Sequence, residues 1–575
     1  MDRVVDSRRV LTDLLLAVSV EQAARKRTAP EWRDLDNVVT RRVTGRRVLL
    51  TATDLDQPLV EGARTLLRVD GEQYRAEVVG LGLGELTLLL DDCEVTDPQT
   101  CSLKVPVDDY LQGLADFLSA SLTEHGTTLA PSSTVLADDL ATGVAAHPAH
   151  SPSVTYVMGA PGSGKTTRLV ASATARASRG QKVMVVTYTN AAADVIFSRL
   201  VETTASSGLT ITRLGFTPAA MGVETRAESD TVTATRSLDE AMDADIVVTT
   251  AYRALMCAGR GVGTHSSVLI DEASTVPLAL AWTSALLARD EVEVYGDPYQ
   301  LGVITTREDP DPNPERTVRQ RFETSPFEVD GVMAAARIPG SPLVLREQHR
   351  LPRALARAAT PPIYYAPTPE QADYEPESPW GFGSLLYIDT SRTDAVCEKA
   401  HGSRKNIHHA DIVVEALRAL LEQGTITPES ASQSLLIVTP YRAQRFLISQ
   451  KLSATGWLPD SSIQALVTTI HRAQGSERPF VLVDTTEAPL HDQPHNSAPG
   501  RLWDGKGWQS QGSRLLTTAL TRATHQALVV MYRSITGTPQ DPYSENVRAL
   551  PRLNAMLNKW GTALEWRQGP TSAGS

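Results

Sequence analysis

Short apolar runs alternate with longer amphipathic segments along the chain from about residue 150 onwards. Near-continuous apolar runs of this kind are typical of parallel strands that are covered by helices on both faces. The first set of predicted strands comprises residues 154–158, 183–187, 245–249, 267–271 and 291–295. The second set comprises residues 385–389, 435–439, 466–470, 480–484 and 527–532. The pattern therefore predicts an α/β protein with two parallel-sheet domains in tandem, at residues 151–324 and 325–540.

The rest of the chain has a different pattern. Residues 1–45 are charged and have helical periodicity, so we predict an N-terminal helical segment there. Short β-prone runs separated by glycines follow at residues 46–107, and the Asp70-Gly71 pair is a strong hairpin signal. We predict a small β-barrel of four or five strands from these runs. A helical linker at 108–150, an exposed loop or hinge at 305–325 and a C-terminal tail at 541–575 with one short helix complete the predicted order.

Composition narrows the class of protein. The chain has 575 residues, of which 41% are hydrophobic. Its formal net charge of −12 argues against a polycationic nucleic-acid binder but is compatible with a local basic groove. The four cysteines are scattered without a C-x-x-C pair, so we expect reduced thiols in a cytoplasmic protein, with neither a zinc site nor a disulfide framework. No apolar stretch is long enough to span a bilayer, and we expect no membrane association.

The sequence GAPGSGKT at residues 159–166 fits the phosphate-binding pattern G-x-x-x-x-G-K-[ST]. It lies between the predicted strand 154–158 and a helix-compatible run at 167–178, which is the context that this motif requires. Lys165 would reach the β- and γ-phosphates of a nucleotide, and the Thr166 hydroxyl would hold Mg²⁺. We therefore predict ATP and Mg²⁺ as cofactors. The predicted nucleotide-binding residues here are Gly159, Pro161, Gly162, Ser163, Gly164, Lys165, Thr166 and Thr167.

Acidic and polar residues follow two further predicted strands. Asp271 and Glu272 end the strand at 267–271, where Asp271 suits a magnesium contact and Glu272 suits a base that orients the attacking water. Gln300 follows the next strand and could sense the γ-phosphate. Arg350 and Arg522 belong to the second α/β domain, and phosphoryl transfer benefits from guanidinium groups at the γ-phosphate.

In this order the motifs resemble those of superfamily 1 helicases, in the subgroup that contains the nonsense-mediated-decay RNA helicase and the Okazaki-fragment helicase–nuclease. The resemblance covers residues 155–530, and it is the joint occurrence of the motifs that is specific. The matching segments are residues 159–167, 187–194, 271–274, 296–301, 345–350, 438–444, 469–477 and 519–523.

The resemblance implies two RecA-like domains with ATP in the cleft between them, a preceding small β-barrel, and 5′ to 3′ movement on single-stranded DNA or RNA. It implies catalytic roles for Lys165, Glu272, Gln300, Arg350 and Arg522, and magnesium binding by Thr166 and Asp271. It also places Glu477 where the family couples nucleotide to nucleic acid, and we assign Glu477 to the nucleotide. The residues that it places near the nucleic-acid strand are Thr189, Asn190, Thr250, Thr439, Pro440, Thr469 and Gln474.

Two alternatives to an unwinding enzyme remain open from the sequence. One is a nucleic-acid-dependent ATPase that remodels nucleoprotein complexes without opening a duplex. The other is a P-loop signalling ATPase or kinase without nucleic acid, which would not need the segments at 187–194, 438–444 and 469–477. The sequence does not identify a protein partner.

Overall fold

The structure is a computed structural model that describes most of the chain after residue 151 and shorter stretches before it. The described residues are 15, 18–19, 32–35, 38–44, 46–51, 64–69, 72–81, 85–91, 101–106, 114–115, 118–119, 152–215, 231–235, 237–258, 263–303, 325–327, 343–364, 377–400, 403–491 and 499–565. The chain divides into two compact units, and the second comprises Gly159–Gly164, Tyr299–Leu301 and Leu345–Ser575. Most of the predicted linkers at 108–150 and 305–325 lies outside the described residues.

An antiparallel sheet of seven strands forms the N-terminal part of the first unit. The strands are β1 (Trp32–Leu35), β2 (Val39–Thr44), β3 (Arg47–Thr51), β4 (Arg64–Val69), β5 (Glu72–Leu81), β6 (Glu85–Leu90) and β7 (Cys101–Pro106). They are arranged in the order β1-β7-β4-β5-β6-β3-β2. Alternate residues such as Leu86, Leu88 and Leu90 are buried in one apolar core, as the period of two in a strand requires.

The predicted helical segment at 1–45 is wrong from Trp32 onwards, because β1 and β2 lie within it. Isolated residues between 15 and 19 are helical. Pairing overrides the local charge pattern, since β2 forms an antiparallel ladder with β3 and β1 pairs with β7, about 70 residues later in the chain. Among the described residues, the sheet therefore begins before residue 46, with β1 and β2, while five strands, β3 to β7, lie within the predicted range 46–107.

A sheet of eight strands forms the rest of the first unit, in the order β11-β10-β12-β9-β13-β14-β8-β15. The strands are β8 (Ser153–Gly159), β9 (Val183–Thr187), β10 (Ile211–Leu214), β11 (Val232–Thr235), β12 (Ile246–Thr250), β13 (His265–Ile270), β14 (Ala288–Gly296) and β15 (Leu343–Leu345). The helices among them are α1 (Lys165–Ala177), α2 (Asn190–Thr204), α3 (Leu238–Met242), α4 (Ala251–Ala258) and α5 (Leu278–Ala285). Strands β8 to β14 pair in parallel, which confirms the predicted α/β class.

A parallel sheet of six strands forms the core of the second unit, in the order β22-β21-β23-β24-β18-β25. The strands of this unit are β16 (Glu377–Ser378), β17 (Gly381–Phe382), β18 (Leu385–Asp389), β19 (Glu398–Ala400), β20 (Ser403–Lys405), β21 (Leu435–Thr439), β22 (Val467–Thr469), β23 (Arg478–Asp484), β24 (Ala523–Met531) and β25 (Thr562–Leu564). Its helices are α6 (Arg353–Ala359), α7 (Ile407–Glu422), α8 (Ala431–Ser434), α9 (Arg442–Thr455), α10 (Asp460–Leu466), α11 (Gln511–Leu520) and α12 (Ala549–Trp560). Three short 3₁₀ turns, Pro362–Tyr364, Arg501–Trp503 and Arg533–Ile535, lie between them.

The described residues 541–565 are part of this unit rather than a tail. Helix α12 supplies the predicted short helix, and it buries Leu550, Leu553, Met556 and Leu557. Strand β25 then pairs in parallel with β18, so the polypeptide completes the edge of the second sheet. A boundary at residue 540 is therefore wrong, because burial of the α12 face and the β25 ladder depend on the rest of the domain.

Within the described ranges, no helix is long and apolar enough to cross a bilayer. Cys101, Cys257 and Cys397 form no disulfide among the described residues.

Burial of a titratable group in the first sheet makes stability depend on pH. His265 opens β13 and is buried; burial, with a smaller contribution from the charge of Lys182, lowers its pKa to about 4. An unfolded histidine titrates near 6.5, so the unfolded chain takes up this proton first as the pH falls. The stability that neutral His265 contributes is therefore fully present above about pH 6.5 and is lost between pH 6.5 and 4.

We predict that His265→Asn reduces the loss of stability between pH 7 and pH 4.5, by up to about 3 kcal/mol. Urea denaturation of both proteins across this pH range measures the effect. The matched control is His491→Asn, which makes the same substitution at an exposed histidine. Parallel pH profiles for wild type and His265→Asn would contradict the assignment.

Candidate nucleotide and strand-binding sites

Three neighbouring strands end at one edge of the first sheet. Strand β14 pairs in parallel with β13 on one side and with β8 on the other. Because parallel strands have their carboxyl ends at the same edge, the segments that follow them converge there. These segments carry the glycine-rich loop after β8, Asp271 and Glu272 after β13, and Asp297 after β14. The predicted nucleotide residues of the first sheet are therefore close together.

The glycine-rich loop has the backbone of a phosphate cradle. Gly162 and Gly164 have φ values of +81° and +83°, a region that favours glycine. The Ser163 N–H donates to Ala160 O over 3.1 Å, and the Ser163 hydroxyl is buried without a hydrogen-bond partner among the described residues. Helix α1 begins at Lys165, so its N-terminal N–H groups follow the loop directly. A loop of this shape, followed by a helix N-terminus, fits the phosphates of a nucleotide.

Asp271 lies at the base of this edge. Its Oδ2 accepts a hydrogen bond from Thr166 Oγ1 at 3.4 Å, and its Oδ1 accepts one from the Glu272 N–H at 2.9 Å. Burial raises the pKa of Asp271, while the Glu272 N–H and the charge of Lys165 act in the opposite direction. A buried carboxylate beside a hydroxyl supplies two hard oxygen ligands, so Thr166 and Asp271 fit a magnesium ion. Thr167 is exposed in the first turn of α1.

Glu272 has an unusual backbone conformation. Its φ is +49°, in the left-handed region that non-glycine residues rarely adopt. Its carbonyl accepts hydrogen bonds from both the N–H and the hydroxyl of Thr275, at 2.9 and 2.8 Å. Together with the bond from its own N–H to Asp271, these contacts fix the residue in a strained conformation. Strain of this kind, at the end of a buried strand, is typical of functional sites.

Ser274 joins the two acidic segments, which the sequence did not indicate. Its hydroxyl accepts the Asp297 N–H at 2.7 Å. The approach depends on Gly296, because a Cβ there would lie 2.8 Å from Ser274 Oγ and 2.6 Å from the Phe327 ring. The segments after β13 and β14 are therefore held together at the edge of the sheet.

In the second unit, the structure brings Gln300 and Arg522 together. Arg522 is buried; its Nη2 donates to Gln300 Oε1 at 3.1 Å and its Nε donates to Thr518 O at 3.0 Å. The Leu301 N–H donates to Thr518 Oγ1 at 3.2 Å. Arg522 thus lies just after the C-terminal end of α11, oriented by Thr518 and by Gln300.

Arg350 and Glu477 form a second pair in the same unit. Arg350 Nη1 is ion-paired with Glu477, and Nη2 donates to Thr521 O at 3.1 Å. Burial lowers the pKa of Arg350, and Glu477 opposes that effect. Thr521 immediately precedes Arg522, so the contact links the two predicted catalytic arginines through the backbone. The role of Glu477 at the nucleotide stays a prediction.

In the first unit, the candidate strand-binding residues surround the start of α2. Thr189 is exposed and caps α2 by accepting the Ala192 N–H at 3.2 Å, whereas Asn190 and Thr250 are buried. The Asn190 side chain accepts from Arg213, a fully buried residue that also donates to Asp194 at 2.8 Å. The sequence did not indicate Arg213, because its position on a short strand at the sheet periphery carries no motif. Asn190 thus has a structural partner, and its contact with nucleic acid stays a prediction.

The candidates in the second unit also differ in exposure. Thr439 and Thr469 are buried, and the Thr439 hydroxyl is bonded to that of Thr486 at 2.9 Å. Pro440 and Gln474 are half-buried, so they are better placed at the surface. The Thr439 hydroxyl thus has a structural partner, and its contact with nucleic acid stays a prediction.

Glu487, another residue that the sequence did not indicate, organises the segment after Pro440. Its buried carboxylate accepts from Arg404 at 2.5 Å, from Trp503 Nε1 at 2.9 Å and from the Tyr441 hydroxyl. A charge buried this deeply needs several donors, and these come from three separate parts of the unit. The carboxylate therefore fixes the backbone beside the predicted strand contacts.

Comparisons with known proteins agree with this arrangement. A family model described as an AAA domain matches residues 143–305, and another with the same description matches residues 330–534. The DNA replication ATP-dependent helicase/nuclease JHS1 of Arabidopsis thaliana is 24% identical over an alignment of 405 residues, which covers 65% of this chain and 27% of that protein. The DNA replication ATP-dependent helicase/nuclease DNA2 of Mus musculus is 23% identical over an alignment of 498 residues, which covers 81% of this chain and 43% of that protein.

The chain belongs to the superfamily 1 helicases. Its two parallel sheets are the two RecA-like domains of that family, and the two relatives support its place in the subgroup that the sequence resembles. The chain spans about a quarter to less than half of the length of these relatives. A solved arterivirus nonstructural protein 10, a helicase, is 16% identical with a TM-score of 0.39, covering 88% of this chain and 77% of that one; likeness at this level adds nothing to the assignment.

We predict that Gly296→Ala destabilises the first unit by about 1–3 kcal/mol, because the new methyl group overlaps Phe327 and Ser274. Thermal and urea denaturation measure the loss. Gly537→Ala is the matched control, since a Cβ there meets nothing within 4 Å. Equal midpoints for the two variants would show that β14 and the segment after β13 are not packed as described.

Proposed function

We propose that this superfamily 1 helicase hydrolyses ATP to move along single-stranded DNA or RNA, in the 5′ to 3′ direction, and opens duplexes ahead of it. The observation that carries this proposal is the contact between Thr166 and the buried Asp271, directly before the strained Glu272, at the carboxyl edge of the first sheet. Family membership supports the dependence on nucleic acid. The relatives are named as DNA replication helicase/nucleases, which favours DNA as the strand.

In this proposal each residue near the nucleotide has a separate task. The glycine-rich loop and Lys165 bind the β- and γ-phosphates, and Thr166 and Asp271 would hold a magnesium ion, which would supply positive charge to the phosphates. The Glu272 carboxylate orients the attacking water and accepts its proton. Gln300, Arg350 and Arg522 act on the γ-phosphate. Arg522 bonds to Thr518, and Arg350 bonds to Glu477 and to Thr521, the residue that precedes Arg522.

Lys165→Ala and Glu272→Gln separate binding from hydrolysis. We predict that Lys165→Ala abolishes turnover and weakens nucleotide binding, because the charge on the phosphates is lost. Glu272→Gln should keep nucleotide binding and abolish turnover, because only the water-orienting carboxylate is lost. Equilibrium binding of a fluorescent ATP analogue, measured beside steady-state hydrolysis, distinguishes the two. Equal loss of binding in both variants would contradict these roles.

Strand displacement tests the activity itself. A duplex with a 5′ single-stranded tail should be opened in the presence of ATP, and a duplex with a 3′ tail should not, with Glu272→Gln as the inactive control. Preference for the 3′ tail would overturn the direction of movement. ATP hydrolysis that rises with single strands but opens neither duplex would favour the remodelling ATPase instead.

Arg522→Ala tests the proposed role of the second domain in hydrolysis. We predict that it lowers the strand-stimulated hydrolysis rate by roughly three orders of magnitude, as expected for an arginine that stabilises the transferred phosphoryl group. Strand affinity should change little, and it should fall with salt as in wild type. Hydrolysis and fluorescence anisotropy with a single-stranded oligomer measure both quantities. Full stimulation in Arg522→Ala would exclude this role.

A further inference from the structure

Gln348 joins the glycine-rich loop to the turn that carries Arg350, and both segments belong to the second unit. Its Nε2 donates to Pro161 O at 2.8 Å. Its Oε1 accepts the N–H groups of Arg350 and Leu351 at 3.0 and 3.1 Å. One primary amide therefore satisfies a carbonyl of the loop and two N–H groups of the turn.

A backbone contact runs beside this side chain. The His349 N–H donates to Gly162 O at 2.9 Å. The two segments approach so closely that a Cβ at Gly162 would overlap Gln348 Oε1 and lie 2.6 Å from Arg350 Cβ. Gly162 is thus required twice, by its φ of +81° and by its contact with the 348–350 segment.

We propose that Gln348 is a positioning residue that couples the phosphate loop to Arg350. The inference rests on the proposed function, and it deepens that function by naming the residue through which the loop and the arginine are linked. The Gln348 amide can do both at once, because its nitrogen donates to the Pro161 carbonyl and its oxygen accepts from the N–H groups of the turn. Gln348 contacts no reacting atom. It acts by holding the backbone N–H of Arg350.

The coupling has a specific consequence for nucleotides. Arg350 acts on the γ-phosphate in the proposed reaction, so its misplacement affects triphosphate and diphosphate differently. Loss of Gln348 should therefore lower the preference for an ATP analogue over ADP and lower kcat. KM for ATP should change much less than kcat, because Lys165 and the loop N–H groups remain.

The first experiment needs no activity. Hydrogen exchange of residues 159–164 is measured in the nucleotide-free protein for wild type, Gln348→Met and Glu347→Gln. Gln348→Met keeps the length of the side chain and removes its donor and acceptor, and we expect exchange in the loop to accelerate by roughly ten-fold. Glu347 is the matched control, because its side chain is 67% exposed and its substitution should leave exchange unchanged.

The second experiment measures hydrolysis and nucleotide preference. We expect kcat of Gln348→Met to fall by roughly ten-fold, and the Gln348→Met/Arg350→Ala double variant to be no slower than Arg350→Ala alone. Gln348→Glu keeps the acceptor for the turn but loses the donor to Pro161, so it should accelerate exchange in the loop while retaining more of kcat than Gln348→Met does.

Wild-type exchange and wild-type kcat in Gln348→Met would overturn the inference, as would additive losses in the double variant. A wild-type chain that hydrolyses no ATP would instead overturn the proposed function. In that case the exchange comparison would still decide whether Gln348 holds the loop.

Discussion

The parallel pairing of β13, β14 and β8 is the constraint on which the candidate site depends. Each strand contributes only a short polar segment, and none of these could bind a nucleotide alone. Parallel pairing places their carboxyl ends at one edge without any further interaction. Burial of the apolar side chains of the strands therefore stabilises the arrangement in which Thr166, Asp271 and Ser274 lie within hydrogen-bond distance of their partners. The order of the strands in the sheet therefore determines which polar segments lie together at the candidate site.

Residues with positive φ values occur where the segments at the sheet edge form the candidate site. Gly162 and Gly164 adopt positive φ in the loop, and Glu272 does so without being glycine. The strain at Glu272 persists because Asp271 and Thr275 bond to its N–H and carbonyl. A similar exception occurs in the second unit, where Thr486 has φ of +65° and its hydroxyl bonds to Thr439. Both unusual residues follow a buried strand, one in each parallel sheet.

The sequence was most informative where burial and motif coincide. Strands β9, β18 and β21 have the predicted bounds, because short apolar runs of this kind are typical of strands that are buried on both faces. Strands β10 and β11 escaped prediction since each has four residues and mixes polar with apolar side chains. Strands β1 and β25 depend on partners far along the chain, which no local pattern records.

The same distinction holds for the site. Residues that belong to motifs, such as Lys165, Asp271 and Arg522, could be named from the sequence. Arg213, Gln348 and Glu487 could not be given roles, because each acts by holding another segment in place. Nothing in the sequence distinguishes these three from other polar residues, because their partners are brought close only by the fold. Positioning residues are thus the part of a functional site that requires a structure.

The central claim is that this sheet edge is an ATP site whose turnover responds to a nucleic-acid strand. The most direct measurement is steady-state ATP hydrolysis by the wild-type chain during a titration with a single-stranded oligomer, at fixed magnesium and salt. The account predicts a low basal rate that rises with oligomer concentration and saturates. A rate that stays at the basal value throughout the titration, for both DNA and RNA oligomers, would contradict it.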